Sequence, residues 1–177
     1  MEDNTSKGRP EVSVLLGSAS DLDRVSPAFQ TLQDFGVPYE VAVISAHRTP
    51  DLLSEYASAA KERGIKVIIA AAGLSAALPG AVAALVDLPV IGLPVEAGPL
   101  RGVDALLAMA QMPPGVPVGT VGIDGAKNAA LLAVRILGAY DPSISEKLER
   151  YRQSQAEDTL KKGDLVSAKG LPQWRRT

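Results

Sequence analysis

Residues suited to binding an anion occur in the segment GSASD at positions 17–21. Gly17 permits a tight turn and a close backbone approach, Ser18 and Ser20 supply hydroxyl donors, and the following helix start supplies free amides that favour a phosphate. Asp21 can accept hydrogen bonds from ribose hydroxyls. The segment matches neither GxGxxG nor a Walker loop, so a dinucleotide or triphosphate is not indicated. The alternative is that Ser20 or Asp21 merely caps a helix.

Residues suited to proton transfer occur in the segment SAHRTP at positions 45–50. His47 is the single histidine of a chain without cysteine, so it has no companions for a Cys/His metal site. Its functional interpretation is acid–base chemistry near neutral pH, and its alternative is a structural role. Arg48, at the predicted helix start, can pair with a phosphate through two N–H groups.

Small side chains fill a third segment, AAAGLSAALPG at positions 70–80. Backbone amides in such a segment can line a pocket with few bulky groups, suited to a planar base and a small neutral molecule. The alternative is tight packing of a helix on a sheet.

Composition excludes several function classes. With 18 basic and 20 acidic residues the formal charge is −2, which argues against a nucleic-acid partner. The polar first ten residues are not a signal peptide, and the apolar stretch 67–86 is broken by Gly73, Pro79 and Gly80, so we expect no membrane partner and a cytoplasmic protein. Apolar residues make up 46% of the chain but aromatic residues only 4%, a bias that predicts a homo-oligomer.

Hydrophobic periodicity predicts the elements that position these segments. Strands are predicted over 11–16, 39–44, 66–71, 89–93 and 117–122. Helices are predicted over 22–35, from 50 until Gly64, over 75–85, 103–111, 124–137 and 141–162, with Thr49 and Asp124 as caps of the second and fifth. Strands that alternate with helices predict an α/β three-layer sandwich with a parallel, flavodoxin-like or Rossmann-like sheet.

The chain ends are predicted to differ from this core. We expect residues 1–10 to be disordered, residues 11–162 to form a single catalytic domain, and residues 163–177 to be a tail. The charged C-terminal helix carries a stripe of Ile144, Leu148 and Tyr151. This stripe packs either on its own chain or on a neighbouring subunit.

The three segments all follow predicted strands, and ligands of open parallel sheets bind beyond the carboxyl ends of the strands. GSASD followed by SAHRTP at this separation, with LPG at 78–80, QMPPGVPVGT at 111–120 and NAALLA at 128–133, resembles the phosphoribosylaminoimidazole carboxylase family. The bacterial members of that family are carboxyaminoimidazole ribonucleotide mutases. The resemblance runs from about Val12 to beyond Leu137.

The resemblance implies a three-layer sandwich that assembles as an octamer, with sites at subunit junctions and the C-terminal helix reaching a neighbour. It implies that Ser18, Ser20 and Arg48 hold the phosphate, that Asp21 holds the ribose, and that His47 carries the catalytic proton. Ser45 would help to position the ribonucleotide, and Ala71, Ala72 and Gly73 would line the pocket for the base and carboxylate. The remaining expected substrate contacts are Gly17, Ala46, Ser75 and Leu78. No metal or bound cofactor is implied.

One segment departs from the mutase pattern. Bacterial mutases usually read AGGAAHLPG, and here Ala77 replaces the histidine while Leu74 and Ser75 replace a glycine–alanine pair. Direct carboxylases of the family read more like AGRSNALSG. LPG at 78–80 and QMPPGVPVGT at 111–120 nevertheless match the mutase form. The resemblance therefore implies a purine-biosynthetic mutase (an isomerase), with direct carboxylation by CO2 (a lyase activity) as the alternative. Further alternatives are a carboxylase of another nucleotide and a non-catalytic nucleotide-binding subunit.

Overall fold

The computed structural model describes residues 8–172 and residue 174. Its strands are β1 (Val12–Leu16), β2 (Tyr39–Val43), β3 (Val67–Ala72), β4 (Val90–Pro94) and β5 (Gly119–Thr120). All pair in parallel, in the order β2-β1-β3-β4-β5. This is the flavodoxin-like order, so the predicted fold class is confirmed.

Helices cover both faces of the sheet. They are α1 (Leu22–Phe35), α2 (Pro50–Ala60), α3 (Leu78–Ala83), α4 (Val103–Ala110), α5 (Ala126–Gly138) and α6 (Pro142–Ala168). One core cluster joins α1 and α5 to one face of the strands, and a second joins α2, α3 and α4 to the other. Because β1, β3 and β4 are covered on both sides, every residue in them is buried, which accounts for their continuous apolar runs.

The sheet order creates a crevice between β1 and β3. The chain leaves β1 towards β2 on one side and leaves β3 towards β4 on the other. The loops after these two strands therefore separate at their carboxyl ends. This is the switch point at which open α/β sheets bind ligands.

The third helix is shorter than predicted. We expected it over 75–85, and α3 spans Leu78–Ala83. Leu74 and Ala76 adopt left-handed backbone angles, with φ of 56° and 42°, which a right-handed helix cannot include. Residues 73–77 therefore form a strained loop instead of a first helical turn.

The structure also differs from the prediction at two helix caps and one strand. The hydroxyl of Thr49 bonds to the backbone of Ser45, at 3.0 Å to both its N–H and its carbonyl, and does not cap α2. Asp124 has a φ of 52° and does not cap α5, which begins two residues later. Only Gly119 and Thr120 of the predicted strand 117–122 pair with β4.

The C-terminal helix packs on its own chain through its first turns. Ile144 is buried in the core, Tyr151 meets the ring of Phe35 edge to face at 5.6 Å, and Lys147 Nζ donates to the Phe35 carbonyl at 2.6 Å. Of the two alternatives for the apolar stripe, this confirms packing on its own chain. Residues 152–162 are exposed along their whole length.

The predicted chain ends are only partly tested. The helix continues to Ala168, so the predicted tail from 163 is wrong for its first six residues. Of residues 1–10, for which we expect disorder, residues 1–7 lie outside the described residues, and residues 8–10 are described and belong to no helix or strand. Within the described part of the chain, no helix is both long enough and apolar enough to cross a membrane.

Candidate active site

A cavity of about 460 Å³ lies at the carboxyl ends of β1 and β3. All three segments singled out in the sequence contribute to its walls. The lining residues are Gly17, Ser18, Ser20, Asp21, Ser45, Ala46, His47, Arg48, Ala72, Gly73, Leu74, Ser75, Ala76, Ala77, Leu78 and Ala97. The fold thus brings together twelve of the thirteen residues expected at the site.

The loop after β1 presents two hydroxyl groups. Ser18 is extended, with φ −151° and ψ 146°, and its Oγ accepts a hydrogen bond from the Ser20 amide at 3.3 Å. Ser20 Oγ lies 2.8 Å from Ser18 Oγ. The helix-capping role considered for Ser20 or Asp21 falls instead to Ser18, which caps a short 3₁₀ turn over Ala19–Asp21.

The backbone conformation at position 17 does not require glycine. Its φ is not left-handed, and a Cβ there would meet Ala71 O and Ala72 Cβ at an ordinary 3.6 Å. Neither of the reasons that the sequence suggested for this glycine, a tight turn and a close backbone approach, therefore requires it here.

Asp21 combines partial burial with a polar neighbourhood. Burial raises the pKa of its carboxyl, while a hydrogen bond from Ser20 and the charge of Arg24 lower it in part. The Ser20 hydroxyl lies 3.2 Å from Asp21 Oδ1. An ionised carboxylate in this position can accept hydrogen bonds from a sugar diol.

The loop after β2 holds Arg48 in a fixed orientation. Its backbone N–H and its Nε donate to Ser45 Oγ at 3.2 and 3.3 Å, and its Nη2 donates to the Gly17 carbonyl at 3.2 Å. Arg48 is exposed, and its remaining N–H groups can bind an anion. The cation is therefore held next to the serine hydroxyls of the loop after β1.

His47 lines the cavity and is exposed. It is the only imidazole in the cavity lining, and imidazole is the side chain that most often acts as a general acid or base. Among the described residues, no three His, Asp or Glu side chains are close enough together to hold a metal ion. The chemistry that this arrangement offers is anion binding beside one imidazole that can transfer a proton.

The loop after β3 forms the opposite wall. A Cβ on Gly73 would lie 2.9 Å from Ala97 Cβ and 3.1 Å from the Val95 carbonyl, so only glycine allows the loop after β4 to approach this closely. Ser75 is exposed at the cavity, and Ala76 and Ala77 complete a wall of small side chains.

One expected residue lies outside the cavity lining, and four lining residues were not among the thirteen expected: Leu74, Ala76 and Ala77 within the third segment, and Ala97. Ala71 was expected in the pocket, but it is fully buried in the core and only its carbonyl reaches the loop, accepting from the Gly17 amide at 2.9 Å. Ala97 was missed, although it lines the cavity from the loop after β4. The available signal was its position directly after a buried strand, in the glycine-containing run EAGPLRG at 96–102.

The sequence model of the AIR carboxylase family matches residues 11–158, which include every residue that lines the cavity. The chain belongs to the AIR carboxylase family. It is 58% identical over 146 residues to the N5-carboxyaminoimidazole ribonucleotide mutase of Pyrococcus abyssi, covering 82% of this chain and 84% of that protein. It is 53% identical over 162 residues to the phosphoribosylaminoimidazole carboxylase of Saccharomyces cerevisiae, covering 92% of this chain and 28% of that longer protein.

A solved structure has the same fold. The crystal structure of Treponema denticola PurE superposes with a TM-score of 0.82 and 31% sequence identity. The match covers 89% of this chain and 99% of that one. The family resemblance drawn from the three segments is therefore confirmed.

Proposed function

We propose that this protein is an N5-carboxyaminoimidazole ribonucleotide mutase of purine biosynthesis. One structural observation carries the proposal: the exposed His47, the tethered Arg48 and the serine loop after β1 line one cavity with the small-residue loop after β3. A ribonucleotide requires an anion site, a diol acceptor and a flat pocket side by side, and the cavity supplies all three.

The proposed binding mode follows from the side chains. The phosphate binds to Arg48 and to the hydroxyls of Ser18 and Ser20, because a guanidinium and neutral donors suit a dianion. The ribose binds to Asp21. The ring then extends along Ser45 and Ala46 towards the wall formed by Ala72, Gly73, Ser75 and Leu78, where backbone groups and Ser75 face the carboxylate.

The proposed reaction transfers a carboxyl group from the exocyclic N5 to C4 of the imidazole. The N5–carbon bond breaks, CO2 is formed in the cavity, and His47 as an imidazolium gives its proton to the amine. The enamine-like C4 then attacks the CO2, and His47 takes the C4 proton. The proton count balances, and the reaction requires no metal or bound cofactor.

Ala77 makes this proton transfer the task of a single residue. It lies on the cavity wall at the position where bacterial mutases usually carry histidine, and His47 is the only histidine of the chain. Proton transfer by a positioned side chain contributes typically about 10²–10⁴-fold, and positioning of reactants supplies much of the remainder.

The alternatives considered from the sequence are less favoured. The relative named a mutase is the more similar of the two reported, at 58% identity against 53% for the one named a carboxylase. A carboxylase of a different nucleotide and a non-catalytic subunit have no observation in their favour. We further propose that the protein acts in the cytoplasm as a homo-oligomer, of which an octamer is the form that the family resemblance implies.

A parallel assay of the purified protein tests the activity. One arm receives N5-carboxyaminoimidazole ribonucleotide, and the other receives 5-aminoimidazole ribonucleotide with excess bicarbonate. The mutase proposal predicts rapid formation of the C4-carboxylated product in the first arm and slow formation in the second. Faster turnover in the second arm would assign the protein as a direct carboxylase.

A further inference from the structure

An ion cluster at the edge of the cavity connects three elements that are distant in the sequence. Arg24 of α1 pairs with the carboxylate of Asp124 and, through Nη1, with Glu96 Oε2 at 3.4 Å. Asp124 Oδ1 also accepts a hydrogen bond from the Glu96 backbone N–H at 3.0 Å. The side chain of Asp124 thus links α1 to the loop after β4.

The backbone at Asp124 is strained in a way that serves this contact. Its φ is 52°, and its own N–H donates to the Pro94 carbonyl at 2.9 Å. The described residues contain four non-glycine residues with positive φ, and all four lie in loops at the carboxyl end of the sheet: Leu74, Ala76, Arg101 and Asp124. Strain of this kind persists only where surrounding contacts hold it, and it is concentrated at functional sites.

The loop that Asp124 holds, residues 95–102, forms part of the cavity wall. Ala97 lines the cavity, and it lies this close to Gly73 because glycine has no side chain. A Cβ on Gly98 would lie 2.7 Å from Leu74 Cδ2. Any outward movement of this loop therefore opens the cavity beside the strained loop after β3.

The two ends of this loop meet at the ion cluster. A Cβ on Gly102 would lie 3.2 Å from Glu96 Cα and 2.9 Å from Ile123 Cγ2, so the loop starts and finishes against the chain segment that precedes α5. At its start, Val95 N donates to the Ala72 carbonyl at 3.0 Å. Among the described residues, only two side chains form hydrogen bonds with Glu96: Arg24 donates to its Oε2, and the Asp124 carboxylate accepts from its backbone N–H.

We propose that Arg24, Asp124 and Glu96 are positioning residues that hold the 95–102 loop closed, so that CO2 released from N5 stays in the cavity until C4 captures it. This inference rests on the proposed mutase function. The three side chains do not line the cavity, and they act through Ala97 and its contact with the loop after β3. Their loss lowers the fraction of CO2 that is recaptured.

The test measures how released CO2 partitions. Substrate labelled with ¹³C in the N5-carboxyl group is turned over in unlabelled bicarbonate. The amount of free 5-aminoimidazole ribonucleotide is divided by the amount of labelled C4-carboxyl product. Both amounts are corrected for an enzyme-free blank. The variants are R24Q, which leaves two carboxylates facing each other, and D124N, which keeps an acceptor for the Glu96 N–H and tolerates a left-handed φ. The control is E11Q, which removes the partly exposed Lys66–Glu11 ion pair, 2.6 Å apart at the opposite end of the sheet.

We expect R24Q and D124N to raise the ratio of free amine to labelled product by about two- to fivefold over the unchanged protein, the range that a partly exposed ion pair can supply. E11Q should leave this ratio unchanged. A structural role alone would lower the total rate through unfolding but would not alter the ratio. If the parent protein turns over the substrate and both cluster variants retain as much label as the parent, the inference is overturned. If the parent protein itself shows no turnover, the proposed function is overturned instead.

Discussion

Arg48 Nη2 donates a hydrogen bond to the carbonyl oxygen of Gly17 across 3.2 Å. This contact joins the loop after β2 to the loop after β1, although the two residues are 31 positions apart in the sequence. It holds the guanidinium at the carbonyl that immediately precedes the serine loop before any ligand binds. A cation held in advance loses less conformational freedom on binding, because its rotamers are already restricted.

The first prediction concerns this contact. Replacement of Arg48 by alanine should raise KM about 10- to 100-fold, because a hydrogen-bonded pair with a charged phosphate is lost. Arg48→Lys keeps the charge but loses the two-pronged geometry, so its KM should lie between that of the parent protein and that of the alanine variant. Steady-state kinetics on the N5-carboxylated substrate checks both, and an unchanged KM in the alanine variant would remove Arg48 from the phosphate site.

The second prediction separates proton transfer from binding. His47→Asn should lower kcat by about 10²-fold or more, because no second imidazole in the chain can carry the proton. The affinity for the product nucleotide, measured by calorimetry, should stay within a few-fold of the original because the phosphate contacts remain. Turnover at the original rate in this variant would contradict the role of His47.

The third prediction uses the raised pKa of Asp21. Its cause is burial, which disfavours the charged form, so the folded state binds the proton more tightly than the unfolded chain. The contribution of Asp21 to stability therefore falls as the pH rises from its ordinary pKa through the raised one. At neutral pH the ionised carboxyl is destabilising, and Asp21→Asn should increase the free energy of unfolding by less than about 1 kcal/mol, since the group is only partly buried and solvent screens its charge.

Urea unfolding at neutral and acidic pH checks this sign. The gain from Asp21→Asn should vanish below the ordinary pKa of aspartate, where both states are protonated. The same substitution at Asp23, an acid in the first turn of α1 outside the cavity, should bring no gain. Asp21→Asn should also weaken ribonucleotide binding about tenfold, through loss of a charged acceptor. If Asp21→Asn is no more stable than the parent protein and binds the ribonucleotide equally tightly, the role assigned to Asp21 is refuted.

The fourth prediction tests the close approach of the loops after β3 and β4. A methyl group on Gly73 would lie 2.9 Å from Ala97 Cβ, so Gly73→Ala should displace the 95–102 loop and cost about 1–3 kcal/mol of stability. Turnover should fall as well, since this loop lines the cavity. Gly122→Ala is the matched control, because a Cβ there meets nothing within 4 Å. Equal thermal unfolding midpoints for the two variants would show that the contact is not tight.

The order of the elements and the residues at the ends of the first three strands follow from local sequence patterns alone. Buried strands and amphipathic helices are encoded by local periodicity, so β1, α1 and β3 were predicted to within about one or two residues. The carboxyl ends of parallel strands share one edge, so the strand assignments alone placed His47, Arg48 and the serine loop together.

Tertiary structure decided the remainder. Asp124 stands before a helix like any capping aspartate, yet its carboxylate is bound by Arg24, 100 residues earlier in the chain, and its backbone is turned out of the helical region. Ala97 enters the cavity because Gly73 has no side chain to exclude it. Such contacts depend on how separate elements meet in space, and no local pattern of residue types records them.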